Sequence, residues 1–269
     1  MDHGQTGRHH LKAQGSTPPR RGSAPDPTPL HWRSVAARLL IVAVLLLGLV
    51  IGTGLSITRL APGSDVEKAD TATVQWLAGE RTETLDAVSG PAAELGNTWV
   101  VIGVALAAAL LAIAVLRRRR FALVLAVALI GELAIFLTTT AVIDRPRPPV
   151  AHLDAELPPT SSVPSGHTAA SICLYGAIAA LALAITRAWW RWLILTLAIL
   201  VIVAVALARL YRGAHFPTDV FGSVLFAVPW LLVTLKLLRQ DIGSPSGDRR
   251  AAVGRHTLHD ESATPSDAM

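Results

Sequence analysis

The segment ARLYRGAHFPTDV, from Ala208 to Val220, places two arginines, a histidine and an aspartate directly after a long aliphatic run. Charged side chains close to a bilayer core are costly, so their presence there indicates a function. His215 lies four residues before Asp219, which is about one helical turn, and an acid at that spacing reaches back to the imidazole Nδ1. Such a bond fixes the tautomer and leaves Nε2 free for nucleophilic attack.

Two further polar segments adjoin aliphatic runs: TAVIDRPRPP, which begins at Thr140, and PSGHTAAS, which begins at Pro164. The guanidinium of Arg147 offers a planar fork of donors that matches phosphoryl oxygens and stays charged at any working pH. The second segment predicts a helix start in which Ser165 is the cap and Gly166 lets an anion approach the free backbone amides. The three segments together predict a pocket for a phosphate ester at one membrane boundary.

The composition is that of a membrane protein. Of the 269 residues, 52% are hydrophobic and only 16% are charged, and the mean hydropathy is +0.48; in soluble domains about a quarter of the residues are charged. The net charge of +5 does not indicate nucleic-acid binding, since the arginines cluster at the ends of apolar runs, where cations flank membrane spans. The single cysteine, Cys173, excludes an intramolecular disulfide and a multi-cysteine metal site.

Six apolar runs are long enough to cross a bilayer, which takes about 20 residues of helix. They are Val35–Ile57, Thr98–Leu116, Phe121–Ile143, His167–Thr186, Trp190–Ala208 and Thr218–Leu238. The sequence therefore predicts an all-α protein, a bundle of six transmembrane helices within one membrane domain, residues 35–240. The polar leader, residues 1–34, and the tail, residues 241–269, are rich in Pro, Gly and Ser and are predicted to be disordered.

Basic flanks predict the orientation of this bundle, because cytoplasmic loops carry an excess of Lys and Arg. The leader, the turn Arg117–Arg120, Arg187 with Arg191, and the tail from Lys236 all fall on one side. That side is predicted to be cytoplasmic, with both termini in the cytoplasm and the protein in the cell membrane. The acid-rich segment Arg59–Asn97 and the three polar segments fall on the extracytoplasmic side.

The three polar segments resemble the signature of the type 2 phosphatidic acid phosphatase (PAP2) superfamily, which includes the vanadium haloperoxidases. The family pattern is K-x6-R-P, then P-S-G-H, then S-R-x5-H-x3-D. The matching positions here are Thr140, Arg147 and Pro148, then Pro164–His167, then Ala208, Arg209, His215 and Asp219. The resemblance covers residues 121–238 and implies a helical bundle of the PAP2 and haloperoxidase type.

The resemblance also implies a two-step phosphoryl transfer that needs no metal and no cofactor. His215 attacks phosphorus and becomes a phosphohistidine, which Asp219 orients and stabilises. His167 protonates the leaving group and then activates water. The groups that hold the equatorial phosphate oxygens are those of Arg147, Arg209, Ser165 and Gly166.

Two positions depart from the family pattern. Thr140 stands where the family has lysine, so one positive charge on the phosphate is missing, and Ala208 replaces a serine. Arg145, two residues before Arg147, either supplies a compensating cation or faces water. Loss of a strong donor slows the reaction without abolishing covalent chemistry. The alternative function is accordingly a weakened relative that binds or moves phospholipids.

The predicted function is an integral-membrane phosphatase that acts on a lipid phosphate or pyrophosphate at the outer leaflet. Its candidate substrates are undecaprenyl pyrophosphate, phosphatidic acid and phosphatidylglycerophosphate. The polyprenyl carrier fits an outward-facing site best, since spent carrier appears there. A haloperoxidase is disfavoured, because family members with that activity are soluble.

Four other charged or titratable residues receive separate interpretations. Glu132, within the third apolar run, is predicted either to be bonded between helices or to belong to a polar pathway. His152, Asp154 and Glu156 are predicted to lie on a loop surface.

Residues 66–88 are predicted to form a helix, either on the outer membrane surface or in an ordinary extracytoplasmic loop.

Overall fold

The computed structural model describes residues 32–60, 62–154, 157 and 160–238. Within these residues the α-helices are α1 (Trp32–Leu55), α2 (Asp65–Gly79), α3 (Glu83–Glu94), α4 (Thr98–Ala114), α5 (Arg119–Val142), α6 (Gly166–Ile185), α7 (Trp190–Tyr211) and α8 (Pro217–Leu238). A π-helical turn, Ser56–Leu60, extends α1. The tail and most of the leader lie outside the described residues, but α1 begins at Trp32, so the last three residues of the predicted leader are helical.

The prediction of an all-helical membrane protein is confirmed. Among the described residues, α1, α5, α6, α7 and α8 are long and apolar enough to cross a bilayer. The helix α4 has only 17 residues, and it is long enough only together with α3, from which it is bent by 51°, so the described residues contain five spans, or six if this bent pair counts as one. Asn97 causes the break, because its side chain caps α4 by accepting from the Trp99 N–H at 3.0 Å.

Residues 66–88 do not form the one helix that was predicted. The chain breaks after Gly79, and Thr82 starts a second helix by accepting a hydrogen bond from the Leu85 N–H at 3.2 Å. The resulting helix α3 packs on α7, and α2 packs on α7 and α8. These two helices therefore lie against the ends of the helices that carry the ARLYRGAHFPTDV segment.

The helix α6 is at the centre of the bundle, where it packs against α5, α7 and α8, with α1 and α4 outside it. The core between these helices includes the fully buried side chains of Phe121, Leu174 and Phe226. One close approach depends on a glycine: Trp230 of α8 lies on Gly131 of α5 and donates its indole N–H to the Ala128 carbonyl at 2.9 Å.

Adding a methyl group at Gly131 is expected to destabilise the bundle. A Cβ there would lie 2.0 Å from the Trp230 ring, and overpacking of this kind costs about 1–3 kcal/mol. Gly131→Ala should lower the midpoint of thermal unfolding in detergent. Gly103→Ala in α4 is the matched control, because a Cβ at Gly103 meets nothing within 4 Å; equal midpoints for the two variants would contradict the expected packing.

Candidate active site

The three polar segments meet at one end of the bundle. The helix α6 begins where α7 ends and α8 begins, and the Ser165 N–H donates to the Asp219 carbonyl at 3.2 Å. From the first segment, the Arg147 guanidinium donates to the Ala214 carbonyl at 2.9 Å. These two contacts tie each predicted segment to the chain between α7 and α8, and they bring the candidate residues together.

Four side chains share one electrostatic environment at this end. The positive charges of Arg147 and Arg209 act on both His215 and His167, and His215 acts on His167. His215 and Arg209 are almost fully buried, whereas His167 and Arg147 are half-buried. The arrangement therefore has a closed side formed by His215 and Arg209 and a more open side formed by His167 and Arg147.

The imidazole of His215 is oriented by a backbone carbonyl. Its Nδ1 lies 2.6 Å from the Ser162 oxygen and 3.8 Å from the Asp219 Oδ2. A carbonyl oxygen only accepts, so Nδ1 carries the hydrogen and Nε2 carries the free lone pair. The prediction that Asp219 accepts this hydrogen bond is wrong, although the carboxylate lies close enough to act on the imidazole by its charge.

Asp219 is instead held in a buried network of charged groups. Its Oδ1 binds the guanidinium of Arg145, which also donates to Asp70 Oδ2 at 2.8 Å and to Thr218 Oγ1 at 2.8 Å. The same guanidinium lies 4.3 Å from the centre of the Phe216 ring. Arg145 therefore neither faces water nor extends a free cation to a phosphate, because its charge is shared by two buried carboxylates.

A second ion-pair cluster holds Arg209. Asp154 accepts from Arg209 at 2.7 Å and from Arg212 at 2.6 Å. The Arg209 Nε is buried and has no hydrogen-bond partner among the described residues, so its N–H is available to bind an anion. The prediction that Asp154 lies on a loop surface is therefore wrong, since Asp154 is half-buried and paired with two arginines. His152 is exposed, as predicted, and Glu156 lies outside the described residues.

Burial and the charge of Arg209 lower the pKa of Arg147 from its usual range. Two guanidinium groups that disfavour one another's charge are stabilised by an anion placed near both of them. Asp154 and Asp219 raise this pKa and so offset part of the repulsion. The pair of arginines is accordingly suited to a phosphate group, which brings further negative charge.

The start of α6 differs in detail from the predicted cap. Ser165 does occupy the position before the helix, but its hydroxyl bonds Thr168 Oγ1 at 3.0 Å and makes no bond to a backbone amide. Gly166 packs under the Phe136 ring, which a Cβ would approach to 3.0 Å. The first amides of the helix, which have no acceptor in a preceding turn, point out of its N-terminal end.

The side chain of Asp219 also holds the start of α8. The helix begins at Pro217, and the carboxylate of Asp219 accepts from the Phe216 N–H at 2.8 Å. An acid three residues into a helix that reaches back to the preceding amide is a recognised N-terminal arrangement. Asp219 thus holds the start of α8 as well as Arg145.

The two departures from the family pattern lie at the ends of α5 and α7. The Thr140 hydroxyl donates to the Leu137 carbonyl of its own helix at 3.1 Å. Ala208 is buried and offers no polar side-chain atom. Neither position contributes a cation to the phosphate site.

Sequence reasoning missed two groups that position the site. Asp70 had a usable signal, since it precedes Val74 by four residues, and a charged residue on the apolar face of a helix indicates a buried partner. The Ser162 carbonyl had none, because every residue carries a carbonyl group and only the folded backbone determines where it points.

The acid limb of the pH–rate profile is expected below pH 6.5. Burial, the largest cause, lowers the pKa of His215 from its usual 6.5, with Arg209 and Arg147 acting in the same direction and Asp219 against them. A nucleophilic imidazole must be neutral, so a lowered pKa extends activity to more acidic pH. The measurement is kcat/KM against pH for two substrates whose phosphates ionise at different pH. An acid limb that is set by the enzyme has the same pH for both substrates. A limb common to both substrates but above pH 6.5 would contradict the expectation.

The fold defines the class of protein. The chain is similar to the solved structure of a transmembrane PAP2-type phosphatidylglycerolphosphate phosphatase from Bacillus subtilis, with a TM-score of 0.53 and 20% identity, over 87% of this chain and 98% of that one. A comparison with curated proteins finds no match. Residues 120–242, which contain all three polar segments, match the PAP2 superfamily, and this part of the chain belongs to it. The protein is thus a multi-pass membrane protein with the PAP2 transmembrane fold.

Proposed function

We propose that the protein hydrolyses a lipid phosphate or pyrophosphate through a phosphohistidine formed on His215. One observation carries the proposal: the Nδ1–H of His215 is bound to the Ser162 carbonyl, so Nε2 carries the free lone pair, at the end of the bundle where Arg147 and the start of α6 with His167 also lie. A nucleophile held in the right tautomer next to cations that attract its substrate is what phosphoryl transfer requires.

In the first step the Nε2 lone pair forms a bond to phosphorus while the bond from phosphorus to the leaving oxygen breaks. His167 donates its proton to that oxygen, so the alcohol or phosphate leaves with no unfavourable charge. Arg147, Arg209 and the Gly166 N–H bind the equatorial oxygens and stabilise their charge in the transition state. The Ser165 hydroxyl, which is fully buried on Thr168, supports the helix start that supplies this amide.

In the second step water attacks phosphorus and the phosphorus–nitrogen bond breaks. His167, now neutral, accepts a proton from the water, and the electron pair of the broken bond returns to His215. Phosphate leaves and both histidines regain their starting forms. Asp219 contributes through its negative charge, which stabilises the cationic phosphohistidine between the two steps.

The substrate of this chemistry is a lipid whose phosphate lies at the membrane boundary. The site lies where α6, α7 and α8 begin or end, and this end is extracytoplasmic if both termini are cytoplasmic, as the basic flanks favour. Undecaprenyl pyrophosphate, phosphatidic acid and phosphatidylglycerophosphate meet these requirements. The similar protein from Bacillus subtilis is a phosphatidylglycerolphosphate phosphatase, which favours the third of these lipids.

The test is phosphate release by purified protein in detergent, with a chelator present and each of the three lipids supplied in turn. Release that persists with the chelator, is inhibited by vanadate and vanishes in His215→Ala supports the enzyme. The absence of release from every lipid, together with measurable lipid binding, would instead favour the weakened binding protein. Bromide oxidation in the presence of vanadate would favour a haloperoxidase.

Restoring the family lysine is expected to raise turnover. Thr140→Lys adds a cation where none is supplied, because Arg145 is committed to two carboxylates, and one strong donor in such a site contributes about 3–4 kcal/mol. The measurement is kcat on the best of the three lipids, with Thr138→Lys as the control, since Thr138 is an exposed residue of the same helix turn. Unchanged or lower kcat in Thr140→Lys would contradict the idea that a missing cation limits the rate.

A further inference from the structure

An apolar cavity of about 180 Å³ lies beside His167, between α4, α5 and α6. Pockets for whole drug-sized ligands occupy about 300–1,000 Å³, so this one has room for part of a lipid. Its wall includes Ile102 and Leu133, which are 43% and 49% exposed on the outer surface of the bundle and so face the bilayer. The cavity therefore extends from a proposed catalytic group towards the lipid.

One charged side chain lines this apolar cavity. Glu132 is only 4% exposed and has no hydrogen-bond or ionic partner in the described part of the chain, so the predicted bond between helices is not formed there. A buried polar group without a partner is costly, and a carboxyl group in apolar surroundings costs least when it is neutral and hydrogen-bonded. The cavity thus contains a carboxyl group that can donate and accept hydrogen bonds with a polar atom of a ligand.

The depth of Glu132 below the reaction site follows from helix geometry. Phe136 packs on Gly166 at the start of α6, next to His167. Glu132 precedes Phe136 by four residues, so it lies on the same face of α5 and about 6 Å deeper in the membrane. On the opposite wall Ala170, one turn below His167, lines the same cavity.

We propose that this cavity binds the first atoms of the leaving group and that Glu132 hydrogen-bonds an oxygen atom carried there by a glycerol-based lipid. The inference rests on the proposed function, in which His167 protonates the leaving oxygen, since the leaving group must then lie beside His167. In a glycerolipid the nearest ester oxygen follows the phosphoester oxygen by three bonds, and the extended side chain of Glu132 has to span the rest of the helical turn between them. In a polyprenyl phosphate only hydrocarbon follows.

This assignment selects a substrate class. A site that hydrogen-bonds an oxygen of its substrate rejects an analogue without that oxygen, because its own polar group is then left unpaired. Glu132 is accordingly a specificity-determining residue that favours glycerol-based phosphates over the polyprenyl carrier. It acts on the leaving group and leaves the phosphoryl chemistry to the histidines.

The experiment compares phosphatidic acid with hexadecyl phosphate, a phosphate monoester whose leaving group is a plain alkyl chain. The two are assayed at equal mole fraction in mixed micelles. For the wild type we expect kcat/KM to be at least about tenfold higher for phosphatidic acid. Glu132→Leu should bring this ratio close to one, mainly by slowing phosphatidic acid, whereas Glu132→Gln, which still donates and accepts, should keep most of it.

Thr234→Val is the matched control, since Thr234 is a fully buried polar residue of α8 that does not line the cavity. It should leave the ratio unchanged. If Glu132→Leu does not fold, Ala170→Leu narrows the cavity from the other side and should raise KM for phosphatidic acid without raising that for p-nitrophenyl phosphate. An unchanged ratio in folded Glu132→Leu, or an unchanged KM in Ala170→Leu, overturns the inference.

The same assays distinguish failure of the proposed function from failure of the inference about Glu132. If the wild type hydrolyses neither phosphate, and also releases no phosphate from undecaprenyl pyrophosphate or phosphatidylglycerophosphate, the proposed function fails and the inference fails with it. If the wild type hydrolyses both equally well, the phosphatase is retained and only the role of Glu132 is overturned. Hydrolysis of polyprenyl phosphate at a higher kcat/KM than phosphatidic acid also contradicts the assignment.

Discussion

Replacing His215 by alanine is expected to lower phosphate release by at least about a thousandfold, because the reaction loses the atom that bonds to phosphorus. The arginines and the start of α6 stay in place, so binding of the substrate should persist. The measurement is kcat on the best lipid substrate, together with the binding of the same lipid. A variant that retains more than a tenth of the wild-type kcat would exclude His215 as the nucleophile.

Replacing His167 by alanine should separate the two steps. p-Nitrophenyl phosphate has a leaving group that needs no protonation, so His167→Ala can still transfer its phosphoryl group to His215. Hydrolysis of the phosphohistidine is then slow, because no base activates the water. We expect acid-labile, phosphorylated protein to accumulate in His167→Ala and to be absent from His215→Ala and from the double variant.

Phosphorylation of the variants shows in which step each histidine acts. Phosphorylated His215→Ala would place the phosphoryl group on another residue. The absence of phosphorylated His167→Ala would mean that His167 is needed before the covalent step. Gly103→Ala, whose added Cβ meets open space, controls for handling of the detergent-solubilised protein. The two histidines are thus tested by a chemical species as well as by a rate.

The sequence was sufficient for the residues whose relation is set by short stretches of chain. His215 and Asp219 are four residues apart at a helix start, and Gly166 with His167 begin a helix, so local geometry brings each pair together, although the predicted hydrogen bond between His215 and Asp219 is not formed. Their convergence follows from the bundle, because the relevant ends of α6, α7 and α8 lie on one side. Long apolar runs likewise sufficed to predict the helices, with α4 too short to count alone.

The sequence was insufficient for partners supplied from far along the chain. Arg145 had two plausible surroundings, water or a phosphate, and the structure gives it a third, because α2 carries Asp70 to within 2.8 Å of its guanidinium. Asp154 likewise reaches Arg209 from a connecting segment without any periodic pattern. Side-chain pairs of this kind are fixed by tertiary packing, and spacing along the chain contains no information about them.

The buried network leads to a second large expected effect. Asp219→Asn should lower kcat about a hundredfold or more, with little change in KM, because it removes the negative charge nearest the cationic phosphohistidine. The substitution also leaves Arg145 with Asp70 as its one remaining carboxylate among the described residues, and this uncompensated guanidinium further disfavours positive charge on His215. The measurement is kcat and KM on one lipid, with the thermal unfolding midpoint recorded to show that the variant is folded.

Asp70→Asn separates the charge of Asp219 from the integrity of the network. It weakens the hold on Arg145 but keeps Asp219 ionised beside His215, so its effect on kcat should be about tenfold or less. If Asp219→Asn retains most of the wild-type kcat, the Ser162 carbonyl alone orients the imidazole and the carboxylate has no part in the chemistry. If both variants lose kcat equally, Arg145 rather than Asp219 is the group that positions His215. The two carboxylates bind the same guanidinium, so only the difference between the variants assigns the catalytic effect to one charge.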